Sequence, residues 1–370
     1  MPEELIRILR PDGTIEDGRE APPIGNEDLV RLYRFMLLNR RVDERMLKLQ
    51  RQGRIGFYVG STGEEAAIIG SAFALEPSDW ILPCYRELGA ILLRGFSVYD
   101  LCCQLFGNAG DKIKGRQMPN HYASAELRYG SVTSTVASQI PHAVGIGMAS
   151  RFRKSNEIAL AYFGDGATST GEFHVSANFA GVYKAAVVLF CRNNQWAISV
   201  PLRNQTASKS LAVKATGYGM EGVRVDGNDI LAVYSATREA ANRARRGDGP
   251  TLIEAVTYRI GAHSSSDDPR VYRDDKEVDR WRDLDPIARF RSFLLNRGSL
   301  DPKGDKRLEK EIAEEIEDAL SRAEQLGSPA VETMFEDVLD TVPWHLEEQR
   351  KELLETLDQE AEKQRNSIRP

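Results

Sequence analysis

Phe163-Gly164-Asp165-Gly166-Ala167 and, downstream, Arg192-Asn193-Asn194 are the two short stretches around which the rest of the chain can be read. Each follows an apolar run. Glu157-Ile158-Ala159-Leu160-Ala161-Tyr162-Phe163 leads into the first, and Ala185-Ala186-Val187-Val188-Leu189-Phe190-Cys191 leads into the second. Short apolar runs closed by turn residues have the pattern of parallel strands buried on both faces. Asp165 and Asn194 then project from the carboxyl ends of two strands, where open α/β sheets bind their ligands. A carboxylate, an amide oxygen and the backbone carbonyl of Trp196 form a hard-oxygen donor set. Such a set suits Mg²⁺, which takes a few protein oxygens together with phosphate oxygens. The glycines beside Asp165 let a diphosphate come close to the backbone. A Gly-Asp-Gly triplet alone reads equally well as a plain turn; the Asn pair 26 residues further on is what gives it weight.

Composition sets the outer limits. A chain of 370 residues holds either two domains or one large α/β domain with extensions. Its 41% hydrophobic and 28% charged residues are ordinary for a globular protein, and a net charge of −6 gives no general reason to expect nucleic acid as a partner. No apolar run approaches the ~20 residues of a membrane span. The start, Met1-Pro2-Glu3-Glu4-Leu5-Ile6, lacks both the basic-then-apolar signal pattern and a transit-peptide composition. A cytoplasmic, bacterial protein is the expectation, and a mature mitochondrial form stripped of its presequence fits the same composition. Cys84, Cys102, Cys103 and Cys191 form no Cys-x-x-Cys pair and have no His cluster beside them, so reduced core thiols are expected rather than structural zinc.

Along the chain, residues 1–25 read as an extended arm, 26–328 as an α/β domain and 329–370 as a helical extension. A long helix is predicted from Asn26 through Leu47, and Ser61 or Thr62 is placed to cap a helix at Glu64. Residues 88–107 read as helical, Pro141 to Arg153 as a helix rich in small residues, and Gly171 to Val182 as a crossover helix. Strands at 223–227 and 251–257 flank a helix from Asp229 to Arg246. This alternation predicts a doubly wound, mostly parallel sheet. Two charged helices, Lys306 to Gln325 and Glu347 to Gln364, read mainly as solvated faces.

Gly164-Asp165-Gly166, the 26-residue interval and Asn193-Asn194 together resemble the thiamine diphosphate motif. Further segments in fixed order resemble the alpha subunits of heterotetrameric 2-oxo acid dehydrogenases, from about Gly53 to Arg291. They include Gly63-Glu64-Glu65-Ala66, Tyr85-Arg86-Glu87, Gln139-Ile140-Pro141 and Tyr258-Arg259-Ile260-Gly261-Ala262-His263-Ser264. Within that family, Gly115-Arg116-Gln117-Met118-Pro119-Asn120-His121-Tyr122, Ser134 to Gln139 and Arg224 to Asp229 look like the branched-chain 2-oxo acid branch.

The resemblance implies a thiamine diphosphate-binding fold and a set of roles. Tyr85, Arg86 and Arg192 match diphosphate-binding positions, where the planar fork of arginine donates two charge-assisted hydrogen bonds. Asp165, Asn194 and the Trp196 carbonyl match the Mg²⁺ ligands. Ser134, Gly166 and Ala167 line the cofactor. Thr133, Thr135, Ser138 and Gln139 match a K⁺ site, and Phe57 and Tyr58 match aromatic residues of the acyl pocket. His263 is the catalytic candidate, a proton donor and cofactor contact; His121 is a lesser one, while His142, His174 and His345 read as structural. Ser264 matches a serine that relatives present for phosphorylation, and Asp274 stands where they have a second one. Arg259, Asp267, Tyr272 and Arg273 are expected to order the loop around His263.

The implied activity is oxidative decarboxylation of branched-chain 2-oxo acids such as 3-methyl-2-oxobutanoate, with reductive acylation of the lipoyl domain of a dihydrolipoyl transacylase. The implied partner is a beta subunit in an α2β2 heterotetramer, with no role for nucleic acid or membrane. A pyruvate or acetoin dehydrogenase alpha subunit is the nearest alternative, and a non-catalytic scaffold with the same fold is another.

Overall fold

The structure, a computed structural model, describes residues 4–336 and 338–367. Its centre is a six-stranded, all-parallel sheet. The strands are β1 (Leu5–Ile6), β2 (Trp80–Leu82), β3 (Ala159–Gly164), β4 (Val187–Asn193), β7 (Glu221–Asp226) and β8 (Thr251–Val256), in the spatial order β1-β7-β8-β4-β3-β2. A two-residue hairpin, β5 (Trp196–Ala197) with β6 (Val200–Pro201), stands apart from it.

β3 and β4 lie side by side, with Phe163 opposite Cys191 and Gly164 opposite Arg192. The two faces of β3 explain its continuous apolar run. Successive side chains alternate across a strand, so Leu160 and Tyr162 join one core cluster while Ala159, Ala161 and Phe163 join the other. The first cluster packs against helices α1 (Asn26–Arg51), α2 (Glu65–Phe73) and α7 (Ile230–Arg246). The second packs against α5 (Gln139–Arg153) and α6 (Gly171–Val182). The doubly wound arrangement expected from the alternation is therefore present, and β3, β4, α6, α7 and β8 fall where the pattern put them.

Several local expectations are corrected. The N-terminal arm contributes an edge strand: β1 pairs in parallel with β7. It is held there because Asp229, which also caps α7, accepts from the backbone N–H groups of Ile8 and Leu9 at 2.6 Å each. Residues 88–107 form two helices, α3 (Leu88–Leu93) and α4 (Val98–Phe106), because Gly95 at φ +104° breaks the run and Ser97 with Asp100 forms a new capping box. α5 starts at Gln139, two residues early, since Pro141 is tolerated in a first turn.

Neither Ser61 nor Thr62 caps α2. Ser61 is tied to Asp43, and the Thr62 carbonyl accepts from Ile260. α8 (Asp275–Arg282) and α9 (Pro286–Arg297) follow the sheet, and α10 (Pro302–Glu324) buries Leu308, Ile312, Ile316 and Leu320. Its outward charges are not all solvated: Glu309, Glu315 and Glu317 pair with Arg41, Arg34 and Arg45 of α1. α11 (Trp344–Ser367) is largely exposed. All four cysteines are free and buried. Among the described residues no helix is long and apolar enough to cross a membrane.

Candidate active site

The carboxyl ends of β3 and β4 open into a cavity of about 410 Å³. Tyr85, Arg86, Ser134, Asp165, Gly166, Ala167, Arg192, Asn194, Trp196 and His263 line it, as does Phe57. Residues from six separate segments thus meet at the strand ends, as expected at the edge of a doubly wound sheet.

Asp165 is the first residue past β3. One carboxylate oxygen, Oδ2, accepts from Gln205 Nε2 at 2.6 Å; the other, Oδ1, is buried and has no hydrogen-bond partner among the described residues. Burial pushes its pKa up to about 6. Asn194 lies past β4. Its Nδ2 donates to Glu64 Oε1 at 2.9 Å, and its Oδ1 accepts from the Trp196 N–H at 3.3 Å. The Trp196 carbonyl accepts from Arg259 Nη1 at 3.2 Å. An orphaned carboxylate oxygen, an amide oxygen and a carbonyl are an all-oxygen set, and they fit a hard cation. Among the described residues no cluster of three His, Cys, Asp or Glu side chains offers a competing metal site.

Arg192 lines the cavity and also meets two acids. It is fully buried and its two terminal nitrogens are already taken: Nη1 donates to Glu64 and Nη2 to Glu87, both carboxylates being wholly buried. Only Nε is left without a partner. Arg192 is therefore the countercharge of two buried acids while also lining the cavity, where its Nε–H has no other partner.

Arg86 and Arg259 have neutral partners instead. Arg86 Nη1 donates to the Gly60 carbonyl at 2.7 Å, and its Nη2 reaches the His263 carbonyl at 2.6 Å and His263 Nδ1 at 2.9 Å. Arg259 donates to the Trp196 and Ile198 carbonyls and to the Tyr272 hydroxyl. Among the described residues neither guanidinium meets a carboxylate, so both leave positive charge uncompensated beside the cavity. Tyr85 sets its ring edge-on to His263 at 5.9 Å.

This environment defines the state of His263. Guanidinium is a donor only, so Nδ1 is the acceptor and the ring proton sits on Nε2. Burial, then the Arg86 and Arg259 charges, lower its pKa to about 3. His263 is a neutral imidazole with an Nε2–H donor. Asp267 accepts from its backbone N–H at 2.6 Å and from the Tyr272 hydroxyl at 2.6 Å, while Arg273 donates to the Arg259 and Ile260 carbonyls. The loop is ordered by these hydrogen bonds, as expected. Ser264 is half-buried beside it but does not line the cavity.

His121 also lines the cavity. Its Nδ1 lies 3.1 Å from the Pro119 carbonyl and donates to it, and its Nε2 lies 2.6 Å from the Ser134 hydroxyl. Thr133, Thr135 and Ser138 come together: Ser138 Oγ donates to the Thr135 carbonyl at 2.9 Å and lies 3.3 Å from Thr133 Oγ1. Gln139 sends Nε2 to the Tyr162 carbonyl at 2.6 Å and keeps Oε1 buried and unpartnered. Tyr58 turns away from the cavity into the core, where its hydroxyl donates to Asp43 at 2.7 Å. Val59, Val136 and Ile198, which had no assigned role, supply apolar wall with Phe57. Glu64, Glu87 and Gln205 also had none. The first two sit inside quoted motifs, but nothing in the sequence says that they meet Arg192.

An α/β cavity with a hard-cation donor set, uncompensated arginines and a neutral histidine defines the class. Residues 33–332 match the family model for the dehydrogenase E1 component, and the chain belongs to that family of thiamine diphosphate-dependent oxidoreductases. Its similarity runs over nearly its whole length to "2-oxoisovalerate dehydrogenase subunit alpha 2, mitochondrial" of Arabidopsis thaliana. The two are 42% identical over 353 residues, covering 95% of this chain and 75% of that one. The mitochondrial 2-oxoisovalerate dehydrogenase alpha subunit of Caenorhabditis elegans is 41% identical, covering 94% and 81%, and that of Mus musculus is 40% identical, covering 94% and 79%.

Proposed function

We propose that this chain is the alpha subunit of a branched-chain 2-oxo acid dehydrogenase. It decarboxylates substrates such as 3-methyl-2-oxobutanoate and delivers the acyl group to the lipoyl domain of a dihydrolipoyl transacylase. The observation that carries the reading is one cavity lined by Asp165, Asn194 and Trp196 together with Arg86 and His263, with Arg259 behind it on the Trp196 carbonyl. That pairing suits a magnesium–diphosphate group, because each charge on the ligand has an opposite charge or dipole waiting for it.

Thiamine diphosphate, when bound, supplies the electron sink that makes decarboxylation feasible. The chain's own residues do the rest. Asp165 Oδ1, Asn194 Oδ1 and the Trp196 carbonyl would hold Mg²⁺. Tyr85, Arg86 and the free Nε of Arg192 would take the diphosphate, with Ser134, Gly166 and Ala167 lining its path. His263 presents Nε2–H as a neutral donor, able to hydrogen-bond an anion without itself carrying charge. Phe57, Val59, Val136 and Ile198 give the acyl side an apolar wall, which suits a branched aliphatic chain. The oxygens of Thr133, Thr135, Ser138 and Gln139 would bind K⁺ through hydroxyl and carbonyl groups, and Ser264 is the candidate for phosphorylation.

The remaining machinery comes from a beta subunit in an α2β2 assembly. Phe152, Val175, Phe179 and Val182 are exposed on the outer faces of α5 and α6, an apolar surface of the kind that marks a subunit contact. The test is a substrate profile of the chain co-expressed with its beta subunit, followed as CO₂ release. Activity on 3-methyl-2-oxobutanoate is expected; turnover of pyruvate alone would replace this reading with a pyruvate dehydrogenase.

A further inference from the structure

Glu64 is the N-cap residue of α2, is wholly buried, and touches two residues of the cavity at once. Its Oε2 accepts from Arg192 Nη1 and its Oε1 accepts from Asn194 Nδ2 at 2.9 Å. The two ends of an asparagine amide have nearly the same shape, and only their hydrogen bonds tell them apart. A carboxylate can only accept. The NH₂ of Asn194 must therefore face Glu64, and Oδ1 must face the other way, toward the Trp196 N–H and the cavity it shares with Asp165.

We propose that Glu64 is a positioning residue: it locks the Asn194 amide so that the oxygen, not the NH₂, is offered to a divalent cation. The inference rests on the reading of Asp165, Asn194 and Trp196 as a Mg²⁺ site. The Trp196 N–H favours the same orientation, but at 3.3 Å it is the longer contact and the neutral one. Arg192 completes the device. It occupies the second oxygen of Glu64 and, through Nη2, Glu87, so the Glu64 carboxylate is held in place from behind.

The logic predicts what an amide at position 64 does. In Glu64→Gln, Arg192 still needs an acceptor and takes the new amide's oxygen, which leaves its NH₂ facing Asn194. Asn194 then turns over, and its NH₂ points where the cation should be. A carboxylate at 194 reverses the sense again: in the double variant Glu64→Gln/Asn194→Asp, the NH₂ at position 64 donates to one oxygen of the new carboxylate and the other faces the cation. Asn194→Asp alone sets two carboxylates against each other.

The experiment uses the assembled alpha–beta complex with thiamine diphosphate and reads free Mn²⁺ by electron paramagnetic resonance, with Mg²⁺ as competitor and a thermal melt to verify folding. Glu64→Gln is expected to weaken Mn²⁺ binding roughly tenfold or more, as for other residues that orient metal ligands, and the double variant to recover most of it. Binding by Glu64→Gln equal to wild type overturns the proposal. So does an Asn194→Asp substitution that acts identically with Glu64 or glutamine at position 64, a comparison that holds even where Glu64→Gln alone melts early. If the wild-type complex retains no Mn²⁺, the metal reading itself falls, and the role of Glu64 falls with it.

Discussion

Replacing His263 with glutamine removes a group whose protonation is coupled to folding. In the folded chain its pKa is lowered to about 3, first by burial and then by the Arg86 and Arg259 charges, whereas an unfolded histidine titrates near ~6.5. Between those values the folded state binds fewer protons than the unfolded state. The contribution of neutral His263 is thus fully present above ~6.5 and is lost as pH falls toward about 3. Taken at face value, linkage between pH 7.5 and pH 5 amounts to ~2 kcal/mol. The ring is only partly buried, so solvent screening reduces this to roughly 1 kcal/mol.

Urea unfolding of wild type and His263→Gln at both pH values measures it, with the midpoint and slope giving each stability. Wild type is expected to lose about 1 kcal/mol more than the variant on acidification. Asp43 and Asp165, raised by burial to about 7 and about 6, push the other way, because their neutral forms are favoured in the fold. They are common to both proteins and cancel in the difference. Parallel loss of stability in the two proteins would refute the neutral Nε2–H state assigned to His263.

Two further outcomes follow from the same site. Arg192→Met leaves Glu64 and Glu87 buried without their cation, a situation that costs about 3–5 kcal/mol, and adding Glu64→Gln and Glu87→Gln should recover much of it; a melt unchanged by the single substitution would rule out the triad as a charged unit. Gly63 sits at φ +98° with an added Cβ only 2.4 Å from the Tyr258 carbonyl. Gly63→Ala should therefore cost more than the ~1 kcal/mol of conformational strain alone and expose the 57–63 loop to limited proteolysis, and a protease-resistant variant of full stability would argue against that packing.

What the sequence revealed and what it concealed differ in one physical respect. β3 and β4 were legible because burial on both faces demands an uninterrupted apolar run, a signal contained in consecutive residues. The crossover helix Gly171–Val182 was legible because parallel neighbours require it. β1 was not: a two-residue edge strand has almost no pattern of its own, and what fixes it is Asp229, some 220 positions away, accepting from Ile8 and Leu9. The cap predicted from Ser61 or Thr62 failed for a similar reason. Asp43, in α1, bids for the Ser61 hydroxyl through the fold, and a local rule cannot see it.

The same distinction runs through the site. The residues that line the cavity stand in recognisable stretches, since chemistry with an external ligand limits which side chains will serve. The residues that hold them do not announce themselves. Arg192 read as a hand for a phosphate because arginine beside a ligand pocket so often is one. Wholly buried, its guanidinium is also neutralised by the protein itself. Glu64 and Glu87 meet that demand from 128 and 105 positions away. Having come to balance Arg192, they also tie α2 and the loop before α3 to the end of β4, and one of them turns the amide of Asn194. The electrostatic need of one buried cation therefore sets the geometry of its neighbours, and the site is as much a consequence of charge burial as of the motifs that mark it.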